Sequence, residues 1–240
     1  MPPSRFIVTG CARSGTLFMA EVLSGLGHPC GHEQLFTPAT TTAPDFGELQ
    51  GDVSWLAAPF IGELPAGTIV LHQVRDPLAT VRSLVGVRMF QTKPHPLMQL
   101  RYRLQYHHIR VARPITNARF VRFAADHCRG VFDPDDEPSR AAAYWVRWNR
   151  MIERAADRAD LLYRRYQVEA LDDDLLVEFD HLLGGSAAPA EVGAIRAGLG
   201  TSTHRARQVD ELTLDDIRDT AIRDEVVQLA TEFGYDLAGR

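Results

Sequence analysis

Residues Gly10-Cys11-Ala12-Arg13-Ser14-Gly15-Thr16 place two glycines, a cation and two hydroxyls within seven positions. That set suits an oxyanion. A Gly-bearing turn points successive backbone N–H groups inward, and a helix that follows adds N–H groups and the positive end of its dipole. The stretch differs from an ATPase loop, which reads G-x-x-x-x-G-K-[ST] and uses its Lys to reach the β- and γ-phosphates. Here Thr16 directly follows Gly15, and the cation is Arg13, before the second glycine. The shift argues for a phosphate ligand other than a magnesium nucleoside triphosphate.

A second cluster is His72-Gln73-Val74-Arg75-Asp76-Pro77, with Ser83 further on. Arg75 falls where an apolar, β-branched run ends, and open α/β sheets bind ligands at the carboxyl ends of strands. Asp76 and Pro77 provide an N-cap and a first helical residue. Ser83 then lies about two turns along that helix. A strand-end Arg and a helical Ser can together clamp one phosphate.

The elements that must position these residues follow from local pattern. Residues 5–10 read as a strand and 15–26 as a helix, broken by Gly27-His28-Pro29. Residues 28–50 read as mostly irregular, 51–55 as a short strand or turn, and 59–64 as a short helix. A buried parallel strand is expected over 68–74 and a helix over 77–88. Helices are expected over 97–112, 116–127 and 139–158, with a strand over 161–166. Helices over 171–182, 189–197, 213–219 and 222–232 complete the chain. Strands alternating with helices predict an α/β protein: a P-loop-like three-layer fold with a central, mostly parallel sheet flanked by helices. With no repeat and no linker, the expectation is one domain over 1–240, with a helical insertion around 89–140.

The bulk numbers narrow the function. A chain of 240 residues can bury one sizeable core. A net charge of −5 does not suggest wholesale nucleic-acid binding, and the many Arg leave room for a locally basic pocket. Cys11, Cys30 and Cys128 lack metal-ligand spacing. Their odd number and the absence of an apolar leader before residue 6 predict reduced thiols in a cytoplasmic protein, without a membrane span.

Taken together, the loop Gly10–Thr16 and the pair Arg75 and Ser83, eight residues apart, resemble the two nucleotide motifs of sulfotransferases that use 3′-phosphoadenosine 5′-phosphosulfate. Tyr144-Trp145-Val146-Arg147-Trp148-Asn149 resembles a helix of bacterial members. The resemblance covers the N-terminal third firmly and the rest loosely. It implies that Ala12, Arg13, Ser14, Gly15, Thr16 and Leu17 hold the 5′-phosphosulfate, and that Arg75 and Ser83 hold the 3′-phosphate. Many cytosolic members carry Lys where Arg13 stands, whereas many glycan-modifying and bacterial members carry Arg. By resemblance, Arg13 sits near the bridging oxygen and steadies charge as the sulfuryl bond breaks.

Transfer to an alcohol also needs a base for the hydroxyl proton. Glu33 is the first candidate, as in members that place a Glu in this region, and His32 is the second. A solvated surface Glu is the competing description. Trp55 is a candidate wall for adenine and equally a core residue. The loop 198–207, with His204 and Arg205, occupies the place of a late family loop that covers the 3′-phosphate and adenine. His72, Trp145 and Trp148 read as core, and Cys11 receives no chemistry. The expected reaction moves a sulfuryl group to a hydroxyl of a small molecule or carbohydrate, without a metal. A P-loop kinase and a non-catalytic nucleotide-binding protein are the alternatives. Arg101, Tyr102, Arg103, Tyr106, His107 and His108 suit a polar or anionic acceptor and equally read as a solvated face.

Overall fold

The computed structural model describes residues 4–91, 118–199 and 211–237. Five strands form one sheet: β1 (Phe6–Gly10), β2 (Cys30–His32), β3 (Gly51–Val53), β4 (Ile69–Val74) and β5 (Leu162–Gln167). Their spatial order is β2-β3-β1-β4-β5, and every neighbouring pair is parallel. The expected α/β architecture is therefore observed, with helices flanking an all-parallel sheet in a manner consistent with a three-layer P-loop-like fold. β1 and β4 are buried at every position, as parallel strands covered on both faces must be.

The described helices are α1 (Thr16–Gly25), α2 (Pro77–Gly86), α3 (Ala118–His127), α4 (Glu137–Ala156), α5 (Asp173–Leu182), α6 (Pro189–Leu199) and α7 (Thr220–Glu232). Pro77 is the first residue of α2, where its missing N–H costs nothing. Three expectations change in detail. Residues 30–32, expected to be irregular, form an edge strand, because β3 offers them a ladder through Cys30↔Gly51 to His32↔Val53. The helix expected over 213–219 shrinks to a 3₁₀ turn, Leu214–Asp216, closed by a capping box between Thr213 and Asp216. Residues 59–64 belong to a longer 3₁₀ helix, Trp55–Glu63. The helix expected over 97–112, and with it the Arg101–His108 stretch, lies outside the described residues.

The chain divides into two compact units, residues 1–76 with 149–204 and residues 77–148 with 205–240. The first holds the whole sheet. One face of the sheet packs Phe6, Val8, Val53, Ile69 and Leu71 against Met19 and Leu23 of α1, Leu176 and Phe179 of α5, and Val192 of α6. The second unit is helical. Tyr144 and Trp148 stack along α4 with centroids 5.0 Å apart, Phe90 lies 5.1 Å from Tyr144, and Trp145 meets Phe233 edge-on. Trp145 and Trp148 are fully buried, so their place on an apolar stripe is a core role.

Candidate functional site

In a parallel sheet all carboxyl ends share one edge. Loops after β1, β2, β3, β4 and β5 therefore emerge together. The chain leaves β1 towards β2 and β3 on one side, and leaves β4 towards β5 on the other. The order thus reverses between the paired strands β1 and β4, where open α/β sheets take ligands. The loop Cys11–Gly15 and Arg75 start at that point, because Gly10 pairs with Gln73. His32 closes β2, Glu33 follows it, and Trp55 lies two residues beyond β3. Five residues singled out by sequence, Arg13, His32, Glu33, Trp55 and Arg75, stand at or just past strand ends on this edge.

The loop is held from below. Ser14 Oγ donates to the Cys11 carbonyl at 2.6 Å, and Ser14 N–H reaches the same oxygen at 3.2 Å. Gln73 Nε2 donates to the Ser14 carbonyl. Tyr166 hydroxyl donates to Gln73 Oε1 at 2.6 Å and fixes that amide. Both glycines have a reason. A Cβ on Gly10 would run into the Gln73 carbonyl, and Gly15 sits at φ 93° with Gln73 Nε2 3.4 Å from a would-be Cβ. α1 starts at Thr16, and its first closing bond is Met19 N–H to the Gly15 carbonyl. N–H groups of the first turn have no acceptor inside a helix, so they and the dipole face the loop.

Two arginines meet here. Arg75 Nη1 donates to the Arg13 carbonyl at 2.9 Å. Burial, and then the charge of Arg75, hold the Arg13 guanidinium below its ordinary pKa. Arg13 is also left-handed, at φ 73°, and Glu33 is left-handed at φ 55°. Among the described residues only three non-glycines adopt positive φ, and these two belong to the predicted site. Such conformations cost on the order of 1–3 kcal/mol each and concentrate where function over-determines the backbone.

His32 Nε2 lies 3.2 Å from Thr16 Oγ1, which ties the end of β2 to the start of α1. Trp55 is 4% exposed at the start of its 3₁₀ helix. Ala12, Ser14 and Thr16 are buried and Leu17 is half-buried. Ser83 is half-buried on α2, in the second unit. His204 and Arg205 lie outside the described residues.

His72 is a neutral core histidine. Its Nε2–H donates to Asn149 Oδ1 at 2.9 Å and its Nδ1 accepts from Tyr163 hydroxyl at 2.7 Å. Asn149 Nδ2 points to Cys11 Sγ at 3.4 Å, which sets the orientation of that amide. Burial pushes the His72 pKa down to about 3.

Sequence reasoning missed Gln73, Tyr166, Asn149 and Asp52. Gln73 carried a signal, a polar residue inside a run that must be buried, whereas Asp52 fell in a stretch read as a short strand or turn. Tyr166 and Asn149 carried none, since their partners are 93 and 138 positions away in sequence. Among the described residues no group of three or more His, Cys, Asp or Glu could hold a metal ion, and no helix is long and apolar enough to cross a membrane. Neither a scan against protein families nor a search of curated proteins finds a match for this sequence.

Proposed function

We propose that the chain is a sulfotransferase that takes its sulfuryl group from 3′-phosphoadenosine 5′-phosphosulfate. The observation that carries this reading is the meeting of Arg13 and Arg75 at the N-terminal end of α1. Two arginines whose charges repel, one of them in the loop that leads into α1, suit a ligand with more than one anionic group. The missing Lys after Gly15 separates this loop from the ATPase form.

In this reading Arg13 and the loop N–H groups hold the 5′-phosphosulfate, and Arg75 takes the 3′-phosphate. Glu33 removes the proton from the acceptor hydroxyl as its oxygen attacks sulfur. The bond from sulfur to the bridging oxygen breaks, and its electron pair stays on the phosphate, beside Arg13. The products are the sulfate ester, adenosine 3′,5′-bisphosphate and a proton on Glu33. Preorganised charge and positioning supply most of the rate, as in phosphoryl transfer. The acceptor class is a small-molecule or carbohydrate hydroxyl.

Calorimetric titration tests the donor. Adenosine 3′,5′-bisphosphate is expected to bind without metal, and magnesium ATP is expected not to displace it. Preference for ATP would overturn the reading in favour of a kinase or nucleotidase. Labelled donor with a panel of phenols, alcohols and sugars then tests transfer. Glu33→Gln is expected to lower that rate by about 10²–10⁴-fold, the usual worth of a general base. Unchanged transfer would remove Glu33 from the mechanism.

A further inference from the structure

Asp52 lies in the middle of β3, beside the edge strand β2, and is fully buried. A carboxylate there needs donors, because burying a charge without them is costly. It finds them in the backbone just after β2. Gln34 N–H donates to Asp52 Oδ1 and Phe36 N–H to Oδ2, each at 3.2 Å. The Leu35 and Val53 N–H groups add to this hold, although burial still leaves the carboxyl above its ordinary pKa. Residue 33 is pinned from both sides. Its own N–H reaches the Val53 carbonyl at 3.3 Å, and the next three residues turn around Asp52. This enclosure accounts for the left-handed φ of 55° at Glu33, a conformation that L-residues other than Gly, Asn and Asp seldom adopt. Gly31 belongs to the same arrangement. A Cβ there would lie 2.7 Å from Asp52 Oδ1 and 2.6 Å from Gln34 Cβ.

We propose that Asp52 is a positioning residue for the base of the transfer: its carboxylate gathers the N–H groups of residues 34–36 and thereby locks Glu33 in a strained turn next to His32. The chemical role of Glu33 rests on the sulfotransferase reading; the locking of its backbone does not. An Asp52→Asn amide replaces one acceptor oxygen with an NH₂, so at least one of the two N–H groups meets a donor whichever way the amide faces.

The first test reads conformation by thermal unfolding of the full chain. Glu33→Gly removes the strain and is expected to raise the midpoint by about 2 °C. In an Asp52→Asn background the gain is expected to vanish, because nothing then imposes positive φ and glycine only adds freedom to the unfolded chain. An equal gain in both backgrounds, or none in the native background, overturns the inference whether or not the protein transfers sulfuryl groups. Should Asp52→Asn not fold, Gly31→Ala replaces it, since its Cβ displaces the same carboxylate.

The second test reads turnover with an acceptor found in the hydroxyl panel. Asp52→Asn is expected to lower kcat by about 10- to 100-fold at unchanged affinity for adenosine 3′,5′-bisphosphate. Added to Glu33→Gln, it is expected to cost under about twofold more, because both act through one group. Equal losses in both backgrounds overturn the positioning role. Failure of the native protein to bind the bisphosphate instead sinks the sulfotransferase reading and leaves the unfolding comparison to decide the locking.

Discussion

Replacing Arg75 by alanine separates a general anion site from one built for a 3′-phosphate. Arg75 is half-buried, starts after β4 and donates to the Arg13 carbonyl at 2.9 Å. A hydrogen bond to a charged partner is worth about 1.5–3 kcal/mol, or about 10- to 150-fold in a dissociation constant. Removing Arg75 also relieves the repulsion that Arg13 feels, which returns part of the loss. The expected weakening for adenosine 3′,5′-bisphosphate is therefore near the lower figure, about tenfold. The variant has a second effect, because the loop loses a donor to the Arg13 carbonyl. That effect applies to any ligand of the loop, so adenosine 5′-monophosphate serves as the control. Isothermal titration at about 0.1 M salt, where exposed charges are screened over about 10 Å, measures all four combinations of protein and ligand. The native protein is expected to prefer the bisphosphate by about tenfold, and Arg75→Ala to bind both ligands alike. Should the variant retain the full preference, Arg75 does not hold the 3′-phosphate and the assignment fails.

Burial of His72 gives a pH dependence with a defined sign. The folded ring has a pKa of about 3 against an ordinary 6.5, so below 6.5 the unfolded chain binds the additional proton. Stability from this group is complete above pH 6.5 and is lost as pH falls from about 6.5 towards 3, at up to about 1.4 kcal/mol per pH unit. Thermal unfolding between pH 7 and 5 is expected to show a shallower slope for His72→Gln than for the native protein. Gly10→Ala is expected to cost about 1–3 kcal/mol by urea unfolding, since its Cβ meets the Gln73 carbonyl; Gly62→Ala, with nothing within 4 Å, is the neutral control. Tyr166→Phe takes the hydroxyl donor from Gln73 Oε1 and is expected to cost about 1–3 kcal/mol in the same assay, together with weaker bisphosphate binding.

Most of the fold was legible because its signals are local. The apolar runs of β1 and β4 announce buried strands, and the Asp76-Pro77 pair marks where α2 begins. β2 was not legible. Its three residues, Cys30, Gly31 and His32, have no alternating pattern, and only the β3 ladder makes them a strand. The site divides in the same way. Arg13, Gly15 and Arg75 were readable because loop chemistry at strand ends depends on neighbours in sequence. Gln73, Tyr166 and Asn149 act across the sheet or from a distant helix, and no single sequence records such a partner. Asp52 sits between these cases. Its place in a short strand or turn was visible, but its role depends on a turn that only the packed chain defines.

The costs in this unit are unevenly spread. Left-handed non-glycine backbone at Arg13 and Glu33, and the repulsion between the charges of Arg13 and Arg75, all lie on the carboxyl edge of the sheet. A glycine at either position would relax the backbone, and a neutral residue for either arginine would relax the charge. Elsewhere in the unit, apolar side chains from β1, β3 and β4 pack on three helices. A stable core thus supports an edge that is locally unfavourable without a ligand. In the proposed reading, an anion with two phosphate-level charges would offset the repulsion, and a carboxylate held for proton removal would account for the strain at Glu33. The charge lies at the switch between β1 and β4, whereas the strain at Glu33 lies past β2, two strands from β1 on the same edge. Strain at Arg13 and Glu33 and the charge of two arginines therefore gather on the edge where parallel strands present their loops, as the proposed transfer site requires.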